Sequence, residues 1–380
     1  MRLAIIGGGA SGLMCASYLK RNRSEIDITI YERNKGLGRK LLASGNGKCN
    51  FMNFKATIDD YNNPMFVSEL FKHTNKEDVL NYFSSSGLLF KFDDEGRMYP
   101  QTESSETILK LLTDDLKDVR IKLECEVLNI EQINNKILIN HKEEYDYAII
   151  SSGSSANIIP KKASIIYDYF SNLDLSMVKL KPVLVGLKTE EKLNELQGYR
   201  AKCILKYPMC SYQERGEVIF KENGISGICV MNASRYYKQN TEISLDLYPS
   251  SSLEEIIKAI EVRKDKYIDP KYYLDGICHP KMIDYLLKRG ITKPDEVAKK
   301  LKNFTLKVID TYSMEEAQVA RGGIALEEIN STLNLKRYPN IYVAGEVMDI
   351  DGRCGGYNLL FAFICGICIA KELMKIENKD

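Results

Sequence analysis

The chain has 380 residues, 44% hydrophobic and 28% charged, with a formal net charge of +1. That length allows two domains or one large domain with an insertion, and the near-neutral charge supplies no long-range field for nucleic acid or an anionic membrane. Three histidines far apart (His73, His141, His279) give little support to a His-based metal site or a Ser-His-Asp triad, and ten scattered cysteines fit reduced thiols in a cytoplasmic protein.

Residues 2–6 (RLAII) predict a short buried strand, entered from Met1 with no signal-peptide pattern. The turn GGGASG (7–12) follows, then a helix through LMCASYLKRN, then a strand over 26–32 (IDITIYE) that ends in an acid. This is the β-turn-α-β crossover of a parallel sheet. Gly7-x-Gly9-x-x-Gly12 lies at its turn: Gly7 for the tight bend, Gly9 for backbone approach to a pyrophosphate, Gly12 for close helix–strand packing. The N–H groups of Ala10 and Ser11 open a helix whose positive dipole end suits phosphate. Glu32, twenty residues after Gly12, is placed to accept hydrogen bonds from a ribose, and Arg33 follows it. An acid here favours a free 2′-OH, as in FAD or NAD, over a 2′-phosphate.

The stretch GRKLLASGNGKCNF (38–51) carries cations, small polar residues and glycines but little apolar bulk, so it is built to wrap something rather than to fill a core. Helices are predicted over 76–86 and 105–117, and a strand meander over 121–130 and 136–141. A fully apolar strand, Tyr147–Ile150, ends in Ser151-Ser152-Gly153.

From about 181 the texture changes to short strand candidates: VLVGLK, KCILKY, GEVIFK, GICVM and EISLDL. Residues 252–303 read as charged helices, with Ser251 or Ser252 capping the first, and FTLKVID (304–310) as a last strand of this region. IYVAG (341–345) is again a buried strand. The loop after it carries Glu346, Asp349, Asp351 and Arg353, then Gly355-Gly356 before an apolar helix starting at Tyr357-Asn358-Leu359. That helix N-terminus can put N–H groups against the N1 and O2 edge of a flavin, and the acids can bind ribityl hydroxyls. The run 357–370 is about 14 residues, short of the ~20 that span a bilayer, and reads as a buried helix.

With GGGASG, GRKLLASGNGKCNF, DEGRMYPQ (94–101), GISG (224–227) and GEVMDIDGRCGGYNL (345–359), the chain resembles the HI0933-like family of flavoproteins along nearly its whole length. The resemblance implies an α/β fold: a Rossmann-like FAD-binding domain of glutathione-reductase type with an inserted β-barrel plus helical domain. The FAD domain would comprise 1–180 and 318–380, and the insert 181–317, with barrel strands in about 181–250 and 304–312 and helices in about 252–303. FAD would be lined by Arg39, Lys40, Ser44, Gly45, Gly47 and Asn50, with the backbone of Val127 at adenine. Gly153, Gly345, Glu346, Asp351, Gly356, Tyr357, Asn358 and Leu359 complete the expected set. Two departures stand out: Ser151-Ser152-Gly153-Ser154 where the family has Ala-Thr-Gly-Gly, and Ile228 where it has proline.

The expected activity is an FAD-dependent oxidoreductase acting on a small organic substrate through flavin N5, with NAD(P)H as a candidate transient donor. Alternatives are a flavin-bearing redox sensor or partner-binding protein, and a tRNA-modifying flavoenzyme suggested by RYYKQ (235–239), which reads more plainly as a surface strand end. No membrane partner is expected, nucleic acid is disfavoured, and the oligomeric state stays open. Cys365-x-x-Cys368 lies in an apolar helical run, where cysteine is core rather than a redox pair; Cys49 and Cys354 stand in the cofactor loops.

Overall fold

The computed structural model describes residues 1–157 and 167–378. The chain divides into two compact units, Met1–Lys181 with Val319–Asp380, and Pro182–Gln318. Unit 1 holds a five-stranded parallel sheet. β1 (Arg2–Ile6) lies at its centre, between β2 (Asp27–Tyr31) and the strand Tyr147–Ile150; Arg120–Lys122 and Ile341–Val343 form the edges. The central strands are largely apolar because such a sheet is buried on both faces; besides helices it carries the meander that ends at Tyr145, whose ring packs on Tyr31 of β2. Helix α1 (Ala10–Arg21) follows β1, and the helix Tyr357–Glu377 ends the chain. The latter buries residues on every side, including Leu360, Phe363, Ile364 and Ile367, as a core helix does. Among the described residues no helix is long and apolar enough to cross a membrane.

Unit 2 is a closed antiparallel barrel of six strands, in the order Leu187–Thr189, Gly224–Ser226, Tyr212–Lys221, Arg200–Tyr207, Thr241–Asp246 and Phe304–Thr311. Four helices, the first Leu253–Lys264 and the last Pro294–Lys302, intervene before the last strand. Ser252 caps the first through a capping box with Glu255.

The structure corrects two sequence expectations. GICVM is not a strand: Ile228–Ser234 is a helix that begins beyond Gly227, whose φ is 106°. A Cβ at Gly227 would stand 2.1 Å from Glu217 O, so the chain turns there against the neighbouring strand. Ile228 is the first helical position, where proline is also tolerated. The predicted strand 121–130 is broken as well. Only Arg120–Lys122 pairs, with β2; residues 123–129 are irregular, and a separate three-stranded meander starts at Ile130. Glu124 N–H and Cys125 N–H bond Asn34 O and Glu32 O, which keeps this segment beside the end of β2 instead of in the meander.

Helix α1 and the C-terminal helix meet closely at Gly366, where a Cβ would lie 2.6 Å from Ser11 O and 2.9 Å from Met14 Cβ. Helix propensity favours alanine over glycine by about 1 kcal/mol, but overpacking costs about 1–3 kcal/mol. Gly366→Ala is therefore expected to lower the urea midpoint; an increase would show that the two helices have room to spare.

Candidate functional site

The site is built where β1 ends. Gly12 packs so tightly that a Cβ would meet Gly7 O at 2.4 Å and Ile5 Cγ2 at 2.9 Å. Gly9, by contrast, has nothing within 4 Å of its Cβ position, so the space in front of the α1 N-terminus is open. Gly9 is the N-cap of α1 and offers no side-chain cap, which leaves the first-turn N–H groups to an outside acceptor. Ser11 Oγ donates to Ala344 O at 3.4 Å and would be 3.0 Å from a Cβ on Gly345. The helix start is thereby locked to the end of Ile341–Val343.

Glu32 follows β2 and is buried. Its Oε2 accepts the Gly8 N–H at 3.0 Å; its Oε1 accepts the Asn34 N–H at 2.8 Å and Asn34 Nδ2 at 2.6 Å. A carboxylate has about four acceptor positions, so about one remains for a ligand. Val127 is buried in the irregular segment beside Glu32, and neither its N–H nor its carbonyl is bonded among the described residues. Arg33 is half-buried near Tyr169. Arg39 is exposed, with one long hydrogen bond of 3.4 Å to Asn34 Oδ1.

Three predicted residues turn out to be engaged with protein partners. Lys40 Nζ is 3.2 Å from Glu346 Oε2 and 3.3 Å from Ser154 O; Ser154 Oγ donates to Glu346 Oε1 at 2.6 Å, and the Ala320 N–H to the same oxygen at 3.0 Å. Lys40 and Glu346 thus bond each other across the site. Ser154, part of the departure at the end of Tyr147–Ile150, makes that bridge. Asp351 is fully buried and holds Arg321 through two bonds of 2.6 and 3.0 Å. Each oxygen of this carboxylate, expected to meet ribityl hydroxyls, accepts a bond from that guanidinium; Asp349 Oδ1 accepts the Gly322 N–H.

In the loop 38–51, Ser44 Oγ donates to Leu41 O at 2.6 Å, and Gly45 and Gly47 shape the 3-10 turn around Asn46. Asn50 is buried, and its Oδ1 has no hydrogen-bond partner among the described residues. A Cβ on Gly356 would come within 2.6 Å of that oxygen, so Asn50 and the start of the C-terminal helix face each other. Gly356 is the N-cap, again without a side-chain cap. Tyr357 O accepts the Tyr61 hydroxyl at 3.0 Å, and Asn358 clasps the preceding loop through Gly352 N–H, Gly352 O and Arg353 O; Leu359 is half-buried. Gly153 has open space around it and its carbonyl lies 3.5 Å from the Tyr167 hydroxyl. Gly8, Asn34, Ser154 and Arg321 were not legible as site residues. Only the Ser154 departure from the family pattern carried a signal.

Arg97 packs against Gly355, at 3.4 Å from its Cβ position, and Tyr99 stands two residues along the same strand, close enough to Cys354 to interact electrostatically. Burial raises the Tyr99 pKa, opposed by Arg97, so the phenol keeps its proton at neutral pH. Among the described residues no cluster of His, Cys, Asp and Glu could hold a metal. The cysteine pair of the C-terminal helix is buried; desolvation pushes the Cys365 thiol up and Cys368 up to about 12. Cys49, in the loop 38–51, is likewise buried and pushed up to about 11. Titration of the native protein with an aromatic disulfide at pH 8 should therefore label only the partly exposed Cys125, Cys210 and Cys354. Rapid native-state labelling of Cys365 or Cys368 would reopen the redox-pair reading.

Comparison with known proteins gives the same picture over the full chain. Residues 1–372 match the model described as HI0933-like protein Rossmann domain. The 3-dehydro-bile acid delta(4,6)-reductase of Clostridium scindens is 27% identical, covering 96% of this chain and 97% of its own. The ribosomal RNA dihydrouridine synthases of Haemophilus influenzae and Escherichia coli are 26% and 23% identical, covering 97% and 98% of this chain and 98% of each of theirs. The chain belongs to the HI0933-like family and, as a member, is an FAD-dependent oxidoreductase with a Rossmann-type cofactor domain.

Proposed function

We propose that the chain binds FAD along unit 1 and uses it to reduce a carbon–carbon double bond conjugated to a carbonyl, with NAD(P)H as electron donor. The observation that carries the cofactor placement is the orphaned, buried Asn50 Oδ1 facing the uncapped start of the C-terminal helix. A buried acceptor without a partner costs about 1–3 kcal/mol, and a flavin ring N–H or a ribityl hydroxyl relieves it. At the other end, the open space before Gly9 and the uncapped α1 suit a diphosphate. The remaining acceptor position of Glu32 suits one ribose hydroxyl, and the free backbone of Val127 suits adenine. Arg39, exposed and weakly held, is the cation for the diphosphate; Lys40 is not, since Glu346 and Ser154 hold it.

The reaction class is supported by what the relatives' names have in common. A delta(4,6)-reductase acting on a 3-dehydro bile acid removes unsaturation conjugated to a ketone. A dihydrouridine synthase saturates a uracil double bond conjugated to a ring carbonyl. Both add a hydride and a proton across an activated double bond. FAD, when bound, supplies two-electron hydride chemistry at its ring N5. The first-turn N–H groups at Gly356–Asn358 hold negative charge at the ring end of the site. Tyr99, protonated at neutral pH, is a group in this region that can deliver the proton. The sequence has no second GxGxxG for a separate donor domain, so donor and substrate use one site in turn.

Anaerobic mixing tests the reading. NADH or NADPH should bleach the bound flavin, and a conjugated steroid enone or a uridine oligonucleotide should restore its colour with formation of the saturated product. Failure of both donors to bleach it, or of every conjugated acceptor to reoxidise it, would sink the proposal. Tyr99→Phe should slow reoxidation by substrate about 100-fold or more and leave reduction by donor unchanged; equal slowing of both would assign Tyr99 a structural part. Glu32→Gln keeps the shape but loses the charge, and is expected to weaken FAD affinity by about 1–3 kcal/mol, read by fluorescence titration. An unchanged affinity would remove Glu32 from the ribose.

A further inference from the structure

The barrel of unit 2 carries a feature that the flavin chemistry does not use. Arg200–Tyr207 and Tyr212–Lys221 form a hairpin in continuous register, and their outward positions are consecutive. Arg200, Lys202 and Lys206 project outward from the first strand; the gap at Ile204 is filled by Arg215, its partner across the hairpin. Four successive outward positions therefore each present a cation, all exposed. Two residues along a strand span about 6.8 Å, so the stripe is roughly 20 Å long. On the same face Glu217 is 3.5 Å from Arg200, and Asp246, opposite Ile204 on the adjoining strand, is held by Lys302 at 2.7 Å; Glu242 is exposed farther along that strand. Among the described residues the charged ends of Lys202, Lys206 and Arg215 make no ion pair. The whole chain has a net charge of only +1, so this is a local concentration and not a general surplus.

The end of the hairpin supplies flat apolar surface. RYYKQ is not a strand end: Arg235 caps the helix Ile228–Ser234, and the residues after it turn back over the barrel. Tyr207 Oη accepts the Lys238 N–H at 3.1 Å, which ties this turn to the hairpin end. There Tyr236, 43% exposed, packs on Tyr212 with ring centroids 4.7 Å apart, beside exposed Met209 and Lys238.

We propose that this face binds a single-stranded polynucleotide, its phosphates along the cationic stripe and an unstacked base on the Tyr236–Tyr212 pair. Regular spacing of cations matches a chain with one charge per unit, and exposed aromatic rings at its end match bases. A small anion would need neither the length nor the rings. This departs from the expectation that disfavours nucleic acid, which rested on the net charge and on RYYKQ as a surface strand end. It does not depend on the reductase reading, because binding is measured without turnover.

Fluorescence anisotropy of the full-length protein with a labelled 12-nucleotide oligouridylate tests it. Four phosphate contacts should give a slope of about −3 in log K against log salt. The triple variant K202E/K206E/R215E should bind at least tenfold more weakly. Tyr236→Ala should lose about tenfold at every salt concentration, with the slope kept. The control K258E/K264E/K266E makes the same charge change on exposed residues elsewhere in the unit and should bind as the parent does. Melting temperature and flavin content verify folding; if the triple variant does not fold, Lys206→Ala alone should reduce the slope by about 0.7. Oligodeoxyuridylate, which shares the phosphates and the bases, should bind as well. Undiminished binding by the triple variant, equal weakening in the control, tighter binding of a duplex, or equal competition by a polyglutamate peptide would each overturn the proposal.

Discussion

Everything in unit 1 depends on one packing constraint: the first helix and the last helix of the chain lie against each other, with Gly366 allowing the backbone of α1 to approach. Each helix follows a strand of the same parallel sheet, so both N-termini point to the carboxyl edge of that sheet. Ligands of open α/β sheets bind at that edge. Neither terminus carries a capping side chain. Two helix N-termini, from segments more than three hundred residues apart, are brought to one side of one sheet. In the proposed placement, a dinucleotide with a charged diphosphate and an electron-accepting ring uses both.

Around that frame, polar residues separate into those that serve the protein and those left over. Lys40, Ser154 and Glu346 bond one another and join the loop 38–51 to the ends of two strands. Asp351 neutralises Arg321, and Asn358 holds the loop before its own helix. A buried charge is tolerable only when paired, so these contacts explain the burial of Asp351 without a ligand. Asn50 Oδ1 has no such account within the described chain. It stands out because the polar groups around it are satisfied.

The two units follow different rules of patterning. The parallel sheet is covered on both faces, and its strands read as unbroken apolar runs. The barrel alternates inward apolar and outward polar residues, as Arg200–Tyr207 shows with Cys203, Leu205 and Tyr207 buried against exposed Arg200, Lys202 and Lys206. That alternation is what turns a scatter of lysines and arginines in the sequence into an ordered stripe. Register across the hairpin, not spacing along one strand, supplies its third member.

The sequence by itself determined the glycine turn, the acid after the second strand and the long buried final helix, because each is a local pattern: glycines at set offsets, a residue at a strand end, an apolar run. Family resemblance pointed to the loop 38–51. Tertiary structure alone decided which of the candidate side chains remain free. Lys40 and Glu346 are 306 positions apart, and no spacing rule can show that they meet. It also decided that Gly227 starts a helix, since the clash that enforces the turn is with Glu217 on a neighbouring strand. Hydrogen-bond capacity is spent on whichever partner the fold brings near, and that choice is made only when distant segments pack.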